Sequence, residues 1–289
     1  MTAPPTHMVH AGRVAFRVPA SLKVASRSHR MSGTYLETVV RQPRQDIQDV
    51  LDECAGKYLL SRLKSDPPQR LALAPGTPAL LFPGSSGDSQ TLLAVSEQPD
   101  HVLCLLIEFP ASSMQEVRDD LRTIAGDYVR GSARGFCLEH GSIASLERTD
   151  EQASVSLVSS EEGGSEIDVS TVAVGYSSKV DELEATESRC QMLRDRGATV
   201  SIIENRRFVA AGVEGSESQF AAALADGSEL VRYDWSFPGI EGDPRNPRID
   251  ISGFAPLAER ETLHLAWNCL LGTLRLDPPR PSSTSRLAR

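Results

Sequence analysis

Strand-like runs in this chain come in groups, with turns but no helix between them, and that grouping constrains the fold more than any motif. Residues 79–83, 90–97 and 101–110 alternate or run apolar in this way, and the glycine–serine turn 84–89 separates the first two. Strands joined by short turns pair antiparallel, whereas a parallel sheet needs a crossover between neighbours. The grouping therefore disfavours a doubly wound sheet. A helix-like run stands on either side. In 45–64, Ile47, Val50, Leu51, Cys54 and Tyr58 recur at helical spacing on one face, which places Cys54 in the core, and Pro67 and Pro68 end the run. In 112–130, Met114, Val117, Leu121, Ile124 and Tyr128 share a face, with Ser112 or Ser113 as the expected cap.

The order then restarts. Residues 12–19 and 34–40 are strand candidates before the first helix. Residues 135–143, and a hairpin of 153–158 with 166–174, come before the third helix, 179–196, which Gly197 stops. Strands at 206–212, 229–237 and 248–254 follow, then a helix over 258–274 with Leu263, Trp267, Leu270 and Leu274 inward. The repeat is one of architecture and not of sequence. One helix cannot cover both faces of such a sheet. The expected class is α+β, two tandem α/β sandwich lobes, each an antiparallel sheet with two packed helices. The lobes are 1–132 and 133–276, with longer loops in the second, and the proline- and serine-rich 277–289 is an expected disordered tail.

A chain of 289 residues with 40% hydrophobic content can bury two such cores. The formal net charge is −9, and the excess of acids lies in 135–276. Such a surface repels phosphates, so nucleic acid and anionic membranes are not expected partners, while a basic protein is permitted. No apolar run reaches membrane-spanning length. The opening MTAPPTHMVHAGR lacks a basic segment followed by an apolar one, so no export signal is read there. The five cysteines contain no C-x-x-C pair, and their odd number rules out a complete disulfide framework; one or two bridges stay open, with buried thiols the simpler account.

Chemistry is sparse. Cys137, Glu139 and His140 crowd into GFCLEHGSI, but on a strand residues 137 and 140 point to opposite faces, a poor arrangement for a thiol–imidazole pair. His7 and His10 fall in an expected flexible start. Metal-binding H-E-x-x-H, the hydrolase G-x-S-x-G and the phosphate-binding glycine motifs are not found. No catalytic, cofactor-binding or metal-ligating residue is assigned, and no cofactor is expected. Two stretches remain. GVEGSES (212–218) reads as a tight turn, and FPGIEGDPRNP (237–247) as a rigid charged loop between two strands, a solvated hairpin connection first and a recognition loop second.

GRVAFRVPASLKV near the start, FCLEHGSI at the centre, and RRFVAAGVEGSE with YDWSFPG and PRIDISG resemble the type VI secretion immunity proteins that neutralise the fourth class of type VI lipase effectors. The resemblance spans roughly residues 12–253. It implies two α/β lobes arranged like a claw, a cognate phospholipase effector as partner, inhibition by blocking substrate access, and no enzymatic activity. It also implies a periplasmic location, although the absence of a visible signal leaves the cytosol open. The acidic loops are the expected partner-binding positions: Glu161 and Glu162, Glu214 and Glu217, and Glu241, Asp243 and Arg245. Two rival readings stand beside this one. The first is an envelope or cytosolic binding module of repeated Mog1/PsbP-like domains, which GRVAFRVPASLKV would also open. The second is a hydrolase built from His140, Glu214 and Glu217.

Overall fold

The computed structural model describes residues 5–63, 67–84, 87–131, 134–144, 150–159, 164–174 and 182–276. The first half holds β1 (Thr6–Ala11), β2 (Val14–Pro19), β3 (Leu22–Met31), β4 (Thr34–Val40), α1 (Ile47–Leu63), β5 (Gln69–Ala74), β6 (Thr77–Pro83), β7 (Ser89–Glu97), β8 (His101–Pro110), α2 (Met114–Asp127) and β9 (Tyr128–Arg130). The second holds β10 (Phe136–Cys137), β11 (Gly141–Ile143), β12 (Gln152–Ser159), β13 (Glu166–Val172), α3 (Glu182–Asp195), β14 (Thr199–Ala210), β15 (Val213–Ala223), β16 (Glu229–Phe237), β17 (Arg248–Pro256), α4 (Arg260–Thr273) and β18 (Arg275–Leu276). The α+β class holds, with two helices from each half.

Twelve strands form one sheet in the order β14-β15-β16-β17-β13-β12-β3-β4-β8-β7-β6-β5. Matching β3–β8 with β12–β17 element by element, that order reads the same from either end. Each half is a meander of four strands whose last member returns beside the strand that precedes the helix. The halves join where β3 pairs antiparallel with β12 along residues 22–30 and 152–159. The match extends to detail. β8 ends at Pro110, a 3-10 turn follows over Ala111–Ser113, and then a helix of 14 residues; β17 ends at Pro256, with a 3-10 turn over Leu257–Glu259 and again 14 helical residues. Ser113 is the N-cap of α2, as expected, but its side chain makes no cap hydrogen bond, and the chain enters the helix from the 3-10 turn.

One helix lies on each face of each half-sheet. α1 covers Leu80, Phe82, Leu93, Val95, Val102 and Cys104 with Val50, Leu51 and Cys54. The alternate residues of the same strands, among them Ala79, Leu92, Ala94, Leu103 and Leu105, belong to the main core with Val117, Leu121 and Ile124 of α2. Strands covered on both faces lose polar alternation, which is why β7 and β8 read as apolar runs. In the second half α4 adds Leu263, Trp267, Leu270 and Leu274 to that core, while α3 packs Cys190 and Leu193 on Phe220 and Ala222.

Two small sheets tie the halves together crosswise. The β1–β2 hairpin pairs with β18, the last strand among the described residues, through Ala15↔Arg275 and Val14↔Leu276. The β10–β11 hairpin pairs with β9, the strand after α2. The two hairpins touch at the Gly12↔Cys137 bridge, where Cys137 N donates to Gly12 O at 2.9 Å. Gly12 has φ +58, and a Cβ there would lie 2.9 Å from the Phe136 ring, so this crossing demands glycine.

Several expectations change. His7 and His10 sit in β1, where Val9 and Ala11 point inward. Residues 135–143 are two short strands around a corner at 138–140, so Cys137 and His140 do not share one strand. The stretch after Pro68 contains β5. The turn expected over 212–218 is confined to Ala211 and Gly212, both at positive φ, and the rest begins β15. The tail 277–289, read from the sequence as disordered, and the EEGGS residues 161–163 lie outside the described residues.

Candidate functional site

Within the four-strand meanders of the two halves, matched connectors have equal lengths except at one corner. The β5–β6 and β14–β15 turns take two residues each, and the β6–β7 and β15–β16 loops take five each. The β7–β8 turn is only 98–100, whereas its counterpart between β16 and β17 runs over 238–247. That longer loop borders a cleft of about 880 Å³. Met8 and His10 of β1, the Ala211–Gly212 turn, Asp243, Arg245 and Asn246, and Arg275 and Leu276 of β18 form its walls, and Gly12, Arg13 and Cys137 contribute to its base.

The loop is held by its own bonds. Asp243 Oδ1 accepts from Arg245 N at 2.9 Å, and Oδ2 accepts from Asn246 Nδ2 at 2.8 Å. Ile240 N donates to Asn246 O at 2.8 Å, and Gly242 N donates to Val174 O at 2.9 Å. Gly239 has φ +80, and a Cβ there would meet Arg248 N at 2.5 Å. Pro238, Pro244 and Pro247 restrict the unbound chain further. A loop ordered in advance gives up little entropy when it meets a partner.

At the base, Arg13 and Glu151 form a buried bidentate pair, Nε–Oε2 at 2.6 Å and Nη2–Oε1 at 2.8 Å. Such a fork-to-fork pair fixes geometry as well as charge. Burial, reinforced by Arg27, lowers the pKa of His10 and so favours the neutral imidazole on this wall.

The structure distributes the expected positions unevenly. Asp243 and Arg245 line the cleft. Glu241 is exposed in the same loop, and Glu214 is exposed at the start of β15, beside the turn that forms one wall. Glu217 is 2% exposed. Its Oε1 accepts from Trp267 Nε1 at 2.9 Å and Gln219 Nε2 at 3.0 Å, and its Oε2 accepts from Arg206 at 2.9 and 3.1 Å. Glu161 and Glu162 lie outside the described residues. The walls from β1 and β18 were missed. The alternation of THMVHA, with Val9 and Ala11 buried, was the available signal for β1.

Residues 131–279, more than half of the chain, match the family described as Tle cognate immunity protein 4, C-terminal domain. The chain belongs to that family. Three solved structures share the fold of this immunity protein. The structure of the Tle4–Tli4 complex aligns with a TM-score of 0.76 at 16% identity, covering 94% of this chain and 98% of that one. The apo immunity protein TplEi of the type VI secretion system of Pseudomonas aeruginosa aligns with a TM-score of 0.74 at 16% identity, covering 94% and 97%. TplEi complexed with an "L" peptide gives 0.73 at 17% identity, covering 95% and 99%. No curated protein matches the chain.

In this immunity protein the buried polar groups are largely bonded to one another. His101 lies between Asp100 Oδ1 and Tyr128 OH, each at 2.7 Å. A Cβ at Gly141 would come within 2.6 Å of that phenol oxygen, so the corner of FCLEHG is a packing point against Tyr128. His140 stacks beside His101, with ring centroids 5.3 Å apart, and Glu139 pairs with Arg27 at 3.7 Å. The residues of the hydrolase reading are not gathered. His140 packs here, while Glu214 and Glu217 stand on β15. Among the described residues no three His, Cys, Asp or Glu side chains gather to hold a metal, and no helix is long and apolar enough to cross a membrane.

Proposed function

We propose that this immunity protein binds a cognate type VI lipase effector, and that the corner formed by the 238–247 loop and the β14–β15 turn is part of the contact. Bound there, the chain covers the approach of lipid substrate to the effector without performing chemistry of its own. The observation that carries the reading, beyond membership of the family, is the one elaborated connector between two otherwise matched four-strand meanders, β5–β8 and β14–β17. Glu214, Glu241, Asp243 and Arg245 supply its charged rim, and Met8 and Leu276 its apolar surface. Glu217 acts through Arg206 and Trp267, which it holds in place. Glu161 and Glu162 remain proposed contacts on the acidic side.

The non-enzymatic role is supported by the way Glu151, Glu217 and His101 are spent on internal bonds, which leaves them poorly placed for proton transfer. The division into lobes 1–132 and 133–276 with a tail, and a periplasmic site of action, belong to the same proposal.

Titration calorimetry with the proposed cognate lipase effector tests it. The wild-type protein is expected to bind at micromolar concentration or better. Replacing 240–246 with a three-residue turn is expected to weaken binding roughly tenfold or more, as loss of a contact centre does. No binding by the wild type would refute the function. Equal binding by both forms would refute only the assigned corner.

A further inference from the structure

Cys54 of α1 and Cys104 of β8 face each other across a helix–sheet interface with their sulfurs 2.9 Å apart. They are 3% and 1% exposed, in an apolar cluster with Val50, Leu51, Val95 and Val102. Carbon atoms in contact rest about 3.5–4.0 Å apart, and sulfur is larger, so these two atoms are already inside ordinary contact. A disulfide needs a separation of about 2.05 Å. The remaining approach is less than one ångström, within the reach of small side-chain rotations. The other cysteines lie elsewhere: Cys137 at the hairpin crossing, Cys190 under α3 against Phe220 and Ala222, and Cys269 with its sulfur 3.5 Å from Arg17 O.

We infer that Cys54 and Cys104 are a disulfide site, oxidised when the chain folds in the presence of an exchangeable disulfide. The Cys54 thiolate attacks one sulfur of that reagent and expels the other as a thiolate. Cys104 then loses its proton and attacks Cys54 Sγ, releasing the second thiolate. Two protein thiols are oxidised, one reagent disulfide is reduced, and one new S–S bond forms. The order of attack follows from the contact itself. The hydrogen bond from its neighbour lowers the pKa of Cys54, while the same bond together with burial raises that of Cys104. The bond would close a loop of about 50 residues, long enough to restrict the unfolded chain substantially. It would pin α1 to the sheet. The matching helix α3 has Cys190 packed on Phe220 and Ala222 in place of such a link.

The full chain, refolded in a mixture of reduced and oxidised glutathione, is alkylated in denaturant and digested without reduction. Three cysteines are expected to be alkylated, and one linked peptide pair should carry Cys54 and Cys104. Reduction is expected to lower Tm by roughly 5–10 °C. A Cys54→Ala/Cys104→Ala variant should show no such response, whereas Cys190→Ala should keep the link. Alkylation of all five cysteines, or a link between any other two, overturns the inference. The peptide map uses the wild-type chain, so it decides the matter even if the double variant does not fold.

Discussion

The two half-sheets have the same strand order, and two of the three connectors in their meanders match in length, yet their helix-covered faces differ in chemistry. Under α1 the sheet offers Leu80, Phe82, Leu93, Val95 and Val102. Under α3 it offers hydroxyls and charges: Thr186 Oγ1 bonds Ser218 Oγ at 3.0 Å, and Arg189 and Arg232 both reach Asp234. On the opposite face of the second half, Glu217 is buried against Trp267. The α1 layer of the first half is thus apolar, and the second half spends buried positions next to α3 and α4 on a bonded polar network. Such networks specify one arrangement when every member is satisfied and destabilise when one is not. The elaborated corner lies on the polar half. A duplicated frame can keep one copy for stability and let the other carry recognition.

Trp267→Ala gives the sharpest break in this comparison. Trp267 is fully buried, packs edge-on to Tyr233 at 5.7 Å and donates to Glu217. Its removal opens a cavity and strips a donor from a buried carboxylate, and is expected to cost about 3–5 kcal/mol in urea unfolding. Leu121→Ala, at the matching helix α2, leaves a cavity alone and is expected to cost about 2–4 kcal/mol. Equal losses would show that the polar network adds nothing.

The next effect is one of pH and concerns the strand that joins the halves. Burial, with Arg27 adding to it, lowers His29 from 6.5 to about 4. The folded protein keeps this imidazole neutral while the unfolded chain accepts a proton. Below pH 6.5 the unfolded state therefore binds more protons, and stability falls by up to about 1.4 kcal/mol per unit until pH 4. Urea unfolding across that window should show the slope, and His29→Leu should flatten it. An unchanged slope in the variant would place the titration elsewhere.

The smallest effect tests whether the apolar α1 layer still has slack. Gly56 lies within α1, and a Cβ there would meet nothing within 4 Å. Gly56→Ala is expected to raise stability by about 0.5–1 kcal/mol. A loss in thermal unfolding would show that α1 packs more tightly at this position than its open side indicates.

Helix faces were the most legible part of the sequence. Val50, Leu51 and Cys54, or Leu263, Trp267 and Leu270, sit at a spacing that leaves one stripe to bury, and burial follows. Strands with alternating or apolar runs, such as β4, β8 and β16, were legible for the same reason. β15 was not. VEGSESQFAAA has the small and polar residues of a turn, and only neighbours distant in sequence, Trp267, Arg206 and Thr186, make its Glu217 and Ser218 suitable for a buried strand. The candidate site was half legible. The proline-punctuated loop announced itself, but nothing local tied it to Met8, His10 or Leu276.

By itself the sequence determined the class, the repeated order of elements and the faces each helix would bury, because periodicity and turn residues act over a few positions along the chain. Tertiary structure alone decided that the halves join edge to edge through β3 and β12, that the hairpins cross between them at Gly12 and Cys137, and that the cleft opens at one corner. Those outcomes depend on pairing between segments more than a hundred residues apart, and no local pattern encodes the choice of such a partner.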